Sequence, residues 1–201
     1  MKKLTQLLTS TVLVLGLGVS AFAEGNAENG KILAYTCLGC HGIDGYRNAY
    51  PSYRVPKLKG QSQAYLQAAL KAYRSGERTH STMAAQAASL SDQDMADLAA
   101  YFSKDGEVQA PASKGPAPEQ AALCTACHGD TGKGAAPDWP TLSGQHEEYL
   151  IDSLLQYQTK TVSSRSNAVM VGLVGTLSLA DIKTLARYYA SFDGLSTNKE
   201  E

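Results

Sequence analysis

The sequence predicts an all-α protein built from two tandem domains that repeat one pattern. Three observations predict it. Apolar side chains recur at helical spacing, and no run alternates convincingly as a strand would. Segments of the first half return in the second at a nearly fixed offset. A stretch rich in Pro and Gly separates the two copies.

The chain has 201 residues, and its start is set apart from the repeats. Lys2 and Lys3 precede a mostly apolar run from Leu7 to Val19, and Ala21-Phe22-Ala23 is a small-x-small cleavage sequence, so residues 1–23 read as a secretory signal peptide. A membrane anchor fits less well, because the run is shorter than the roughly 20 residues that span a bilayer. Two of the 18 Lys+Arg fall in this segment, so the chain from Glu24 keeps 16 against 19 Asp+Glu, which argues against a nucleic-acid partner. One Trp and three Phe beside eleven Tyr make a thin aromatic core for two small domains, which leaves interior volume for something else to fill.

Cys37, Cys40, His41 and Gly42 recur as Cys124, Cys127, His128 and Gly129, an offset of 87. "PKLKGQSQAYL" at 56–66 recurs as "PTLSGQHEEYL" at 140–150, an offset of 84. Arg78, Met83 and "LSDQDMADLAAYF" at 90–102 return at 87, as Arg165, Met170 and "LSLADIKTLARYY" at 177–189. Small compensating length changes in loops account for the two offsets. The organisation is therefore a signal peptide at 1–23, a first domain at 24–103, a linker at 104–118, a second domain at 119–195 and a polar tail at 196–201.

Taken in order, a first helix over about Ala27–Leu38 runs into the first cysteine motif. Gln63–Tyr73 places Tyr65, Leu66, Ala69, Leu70 and Tyr73 on one face, and Tyr149, Leu150, Leu154 and Tyr157 repeat the pattern. Ser91 followed by Asp94, and Ser178 followed by Asp181, mark helix N-termini with an acid at the third helical position. Met95, Leu98 and Phe102 then form one stripe, and Ile182, Leu185 and Tyr189 the other.

All four cysteines lie in Cys-x-x-Cys-His, the attachment signature of c-type haem. Cysteines three apart in a helical turn face the same way, so both sulfurs can bond the haem's two vinyl-derived carbons. The next histidine is then carried under the iron, which makes His41 and His128 the expected proximal ligands. A disulfide pairing leaves the two histidines unexplained. A zinc site needs ligands that converge, whereas Cys40 and Cys124 are 84 apart. A thioredoxin-type motif wants a βαβ context that is absent. Two covalently bound haem c groups are the expected cofactors.

A Met thioether opposite His closes the iron and raises its potential. Met83 and Met170 occupy equivalent points of the repeat, each 42 residues after its histidine. Met95 matches Ile182 and reads as helix core. His80 matches Asn167 and His146 matches Ser62, so neither recurs as a ligand should, and both read as surface side chains. Pro56 and Pro140 are compatible with two roles, a carbonyl that accepts from the ligating histidine or a ring that merely shapes a loop. Arg78 and Arg165 are open between meeting a haem propionate and lying solvated.

The two Cys-x-x-Cys-His-Gly motifs, two "PxLxGQ…YL" segments, two distal Met and two "LS…D…LA.Y" helices resemble the di-haem cytochrome c4 family over nearly all of the chain after residue 23. The resemblance implies two class I cytochrome c domains with pseudo-twofold packing, and His–Met ligation by His41 with Met83 and His128 with Met170. It further implies a periplasmic electron carrier, sometimes membrane-associated, that passes electrons toward a terminal oxidase.

The expected function is electron carriage between redox proteins, not catalysis by the chain itself. One alternative is the cytochrome subunit of a larger oxidoreductase, such as a flavin-dependent sulfide dehydrogenase. Another is a di-haem enzyme with one iron left open. Between residues 47 and 78, seven basic side chains face one acid, Glu77. That run is either a docking face for an acidic partner or a dispersed solvated surface.

Overall fold

The structure, a computed structural model, describes residues 24–50, 52–103, 115–159 and 165–197. The expected signal peptide, residues 104–114 of the expected linker and residues 198–201 of the tail lie outside the described residues. Among the described residues the fold is helical, with no strand beyond two isolated bridges, Arg47–Arg54 and Lys59–Ser196.

The first half contains α1 (Ala27–Leu33), α2 (Tyr35–His41), α3 (Gln63–Ser75), α4 (Ser81–Ala88) and α5 (Asp92–Ser103). The expected first helix is thus divided at Ala34 and runs three residues further, to His41. The division is one residue wide, because Ala34 N–H still donates to Gly30 and its carbonyl still accepts from Leu38, both at 2.9 Å. Asn26 caps α1 by accepting from the N–H groups of Glu28 and Asn29. α1 lies hard against α5: a Cβ on Gly30 would stand 2.0 Å from the Asp97 carbonyl oxygen, so only glycine permits the approach. The buried Asp97 carboxylate fastens this crossing, accepting from Asn26 N–H at 2.7 Å and Asn29 Nδ2 at 2.5 Å.

The second half begins with a 3₁₀ turn at Glu119–Ala121 where the first has α1, and continues as α6 (Ala122–His128), α7 (Glu147–Gln158), α8 (Ala168–Val174) and α9 (Leu179–Ala190). Ser91 with Asp94 and Ser178 with Asp181 both form reciprocal capping boxes, as expected. The two cores are copies. Ala34, Leu66, Leu98, Ala99 and Phe102 pack together in the first, and their counterparts Ala121, Leu150, Leu185, Ala186 and Tyr189 do so in the second. Met95 is fully buried in α5, the core role its match to Ile182 indicates.

The halves face each other through equivalent segments, which is the signature of two-fold packing. Lys57 N–H donates to Gln145 Oε1 and Gln145 Nε2 returns to the Lys57 carbonyl, both at 3.0 Å. Thr141 N–H donates to Gln61 Oε1 at 2.8 Å and Gln61 Nε2 returns to the Thr141 carbonyl at 3.0 Å. Gln61 and Gln145 are repeat equivalents, as are Lys57 and Thr141. The chain beyond α9 closes the seam: Ser196 exchanges both backbone hydrogen bonds with Lys59, and Leu195 N–H donates to Ser143.

Candidate haem-binding site

Both cysteine motifs sit on short helices that end at the histidine. In α2 and α6 the thiols are half-buried, and all four are free of disulfides. Burial is the main cause that pushes the Cys37 and Cys124 thiols above the usual range. Past His128 the chain turns through Gly129 at φ +69°, where a Cβ would stand 2.5 Å from the Lys133 carbonyl oxygen.

The two imidazoles are buried and held alike. His41 Nδ1 lies 2.8 Å from the Pro56 carbonyl oxygen, and His128 Nδ1 lies 2.9 Å from that of Pro140. A carbonyl only accepts, so Nδ1 carries the hydrogen and Nε2 keeps its lone pair. This settles the open role of the prolines in favour of the acceptor. Burial, more than any neighbour, pushes both histidines below their ordinary range, with the proline carbonyl opposing it. Each ring is therefore neutral near pH 7, as a metal ligand must be.

Met83 and Met170 occupy the same position, the third residue of α4 and of α8. Met83 N–H donates to His80 Nδ1 at 3.3 Å, and Met170 N–H donates to Asn167 Oδ1 at 3.1 Å. His80 is thus not a plain surface side chain. It caps the methionine helix, the role Asn167 plays in the other half, and a ring nitrogen with a lone pair can replace an amide oxygen there. His146 is half-buried at the N-cap of α7, where its side chain makes no cap bond.

All eight expected site residues line one continuous cavity of ≈ 1260 Å³ that runs between the halves. Its wall is mainly apolar, with Leu33, Leu66, Leu98, Leu150 and Leu185 among the lining. Single small-molecule sites take roughly 300–1,000 Å³, so this space exceeds one such ligand. Paired thiols, an imidazole with its Nε2 lone pair available, and an apolar wall suit a covalently held haem in each half.

Cations meet where the halves join. Arg78 and Arg165 both donate to the Tyr149 hydroxyl, and Arg165 adds Ser153 Oγ at 2.9 Å and Gln156 Oε1 at 3.1 Å. Burial alone would raise the Tyr149 phenol, but the two guanidinium charges outweigh it and bring it down to about 7. Arg165 is buried and Arg78 half-buried, so the solvated alternative fails for Arg165. Positive charge set in the wall of an apolar cavity favours an anionic group there.

The basic run of the first half is largely engaged within the molecule. Arg47 and Arg54 share Glu148 of the second half, Lys71 and Arg74 share Asp92, and Lys57 Nζ donates to the Gly144 carbonyl at 2.6 Å. The sequence view missed three features of the site: the His80 cap, the shared Tyr149 hydroxyl and the crossed glutamines. Recurrence of Gly-Gln in both halves was the available signal for the last.

The cytochrome c family model matches residues 27–104 and again 112–191. Over 199 residues the chain is 33% identical to cytochrome c4 of Pseudomonas aeruginosa, covering 92% of this chain and 98% of that one. It is 29% identical over 189 residues to the thiosulfate dehydrogenase electron acceptor of Stutzerimonas stutzeri, covering 87% and 85%. The crystal structure of reduced recombinant cytochrome c4 from Pseudomonas stutzeri matches with a TM-score of 0.65 at 30% identity, over 86% of this chain and 100% of that one. Because both halves match the one domain and the cytochrome c4 relatives are covered over 98% and 100% of their own length, the chain belongs to the cytochrome c4 family, as a di-haem c-type electron carrier with two covalently bound haem c groups.

Proposed function

We propose that the protein works in the periplasm as an electron carrier that is not itself an enzyme, with His41 and Met83 ligating one iron and His128 and Met170 the other. The observation that carries this reading is the matched pair of Nδ1–H···O=C bonds, which present a neutral, oriented Nε2 in each half. Bound haem c supplies reversible one-electron chemistry. The chain's own residues do the rest. Cys37, Cys40, Cys124 and Cys127 hold the group covalently. The proline carbonyls fix each ring and strengthen its donor nitrogen. Capped first turns hold Met83 and Met170, and the apolar wall keeps water away. Arg78 and Arg165 would face the haem carboxylates.

The apolar run and cleavage sequence within residues 1–23 support export, and in bacteria haem c is attached outside the cytoplasm. The partners are redox proteins: an upstream donor, and a terminal oxidase reached with peripheral association at the membrane. A second reading, acceptor subunit of a dehydrogenase, is favoured by the similarity to a relative named a thiosulfate dehydrogenase electron acceptor. Co-purification and sizing separate the two, since a subunit stays with its enzyme and a carrier does not.

The test is intact mass of the protein from the periplasmic fraction, followed by exposure of the reduced form to carbon monoxide. A chain starting at Glu24 with two haems attached, and no shift of the visible bands with carbon monoxide, is the expected result. Ready uptake of carbon monoxide would defeat the thioether ligation while leaving the attachment intact.

A further inference from the structure

The peptide units that hold the two histidines are bonded at both ends, and the second bond comes from the other half of the molecule. In the Pro56–Lys57 peptide the carbonyl accepts from His41 Nδ1 at 2.8 Å, and the N–H donates to Gln145 Oε1 at 3.0 Å. In the Pro140–Thr141 peptide the carbonyl accepts from His128 Nδ1 at 2.9 Å, and the N–H donates to Gln61 Oε1 at 2.8 Å. Both glutamines are buried. Their orientation is fixed by their partners, because each Oε1 meets two N–H donors and each Nε2 meets a carbonyl. Each Oε1 also accepts the N–H of the residue after its own glutamine, Ser62 at 2.9 Å or His146 at 3.0 Å, which locks the amide in place.

We propose that these glutamines are crosswise positioning residues, Gln145 of the second half setting the ligand strength of His41 and Gln61 of the first half setting that of His128. The inference rests on the His–Met ligation proposed above. A hydrogen bond accepted from a peptide's N–H draws electron density toward its carbonyl oxygen, and hydrogen bonds linked in this way strengthen one another. The carbonyl then pulls harder on Nδ1–H, and the ring becomes a more basic ligand at Nε2. A more basic imidazole favours the oxidised iron. Each glutamine therefore lowers the potential of the haem in the half to which it does not belong, and the state of the seam between the halves is felt at both irons.

The test uses the full haem-loaded protein. Visible and magnetic spectra of the unmodified protein come first, and the absence of histidine-ligated haem bands would overturn the ligation and this inference with it. Gln145→Met keeps the side-chain length and removes the amide. It is expected to shift the reduction equilibrium of the first-half haem upward, by up to roughly tenfold, which for one electron is about 59 mV, and to leave the other haem in place. Gln61→Met is expected to do the reverse. Resonances are assigned to each haem through contacts with its own Cys-x-x-Cys-His residues. Amide hydrogen exchange supplies a readout independent of the iron, with Lys57 N–H losing protection in Gln145→Met and Thr141 N–H in Gln61→Met. Gln145→Glu and Gln61→Glu retain an acceptor for the peptide N–H, serve if the methionine variants do not fold, and are expected to leave the potential unraised. Equal shifts of both haems, a shift in the half that carries the substitution, or no shift in either would each overturn the inference.

Discussion

Arg78 reaches from the first half of the chain to the Tyr149 hydroxyl of the second, 2.9 Å away, and meets Arg165 on the same oxygen. Two like charges held on one phenol in a mainly apolar wall repel each other unless something negative is shared between them. The family's haems bring carboxylates, and the cluster stands on the wall of the cavity both halves line. Arg78→Gln removes one cation from the wall of that cavity. Losing positive charge disfavours the added electron, so both haem potentials are expected to fall together, by an amount of order 1 kcal/mol at an effective dielectric near 20. Spectroelectrochemical titration reads this directly. A fall confined to one haem would contradict the shared placement.

Tyr149→Phe tests the same cluster through stability. The ring stays and the shared acceptor goes, so each guanidinium loses one hydrogen bond while Arg165 keeps Ser153 and Gln156. A hydrogen bond to a charged group contributes about 1.5–3 kcal/mol, so the unfolding free energy from denaturant titration is expected to fall by about that much. A Phe variant as stable as the parent would show that the hydroxyl is dispensable.

The methionine helices give a cleaner pair. His80 and Asn167 cap α4 and α8 through the N–H groups of Met83 and Met170. Replacing a capping side chain by Ala typically costs about 1 kcal/mol. His80→Ala is expected to lose that amount and to loosen Met83, seen as faster exchange of its N–H. His80→Asn copies the cap of the second half and is expected to retain the parent stability. If Asn and Ala behave alike at position 80, the cap has no energetic role.

Much of this was legible in the sequence because it depends on residues close together along one copy of the repeat. The Met95–Leu98–Phe102 and Ile182–Leu185–Tyr189 stripes, the Ser91–Asp94 and Ser178–Asp181 boxes and the methionine positions all follow from local spacing. The proline carbonyls were half legible: the residues sat at matching places, but only coordinates could choose between an acceptor and a loop former. The crossed glutamines were not legible. A repeat shows that Gln61 and Gln145 are equivalent, yet says nothing about which copy each one serves. Ala34 was missed for another reason, since the helical pattern continues through it and the turn there leaves the hydrogen bonds running past it. The engagement of Arg47, Arg54 and Lys57 escaped for the same reason as the glutamines, because Glu148 and Gly144 become neighbours of the first half only when the two halves are packed. The burial of Arg165 escaped because its partners Tyr149, Ser153 and Gln156, though in its own half, stand on a helix that reaches it only in the tertiary fold.

Asp97 gives the first half an acid-sensitive joint that the second lacks, since Thr184 occupies the matching position. The Asn26 backbone N–H and then the Asn29 side chain hold the Asp97 carboxyl below the usual carboxylate range. A depressed folded value stabilises above the unfolded value of about 3.9, and that contribution is lost as pH falls from there through the folded value. The Asp94 and Asp181 boxes occur in both halves and largely cancel in the comparison. The α1–α5 contact is therefore expected to open before α9 does below about pH 4, read by hydrogen exchange of α1 amides. Asp97→Asn is expected to flatten that pH dependence. Equal acid sensitivity of the two halves would sink the assignment.

The ion pair of Arg47 with Glu148 spans the halves at 2.8 Å, but its side chains are 44% and 36% exposed. Exposed pairs contribute about 0.2–1 kcal/mol and weaken with salt. Arg47→Glu sets two carboxylates against each other at this edge, with Arg54 at 3.8 Å from Glu148 as the remaining cation. The repulsion acts on the seam that holds Lys57 to Gln145 and Thr141 to Gln61. At low ionic strength the Lys57 and Thr141 amides are expected to exchange faster than in the parent. With the screening length shortened to about 3 Å at 1 M salt, the two proteins are expected to exchange alike. A difference that survives 1 M salt unchanged would mean that Arg47 acts through packing of its stem and not through its charge.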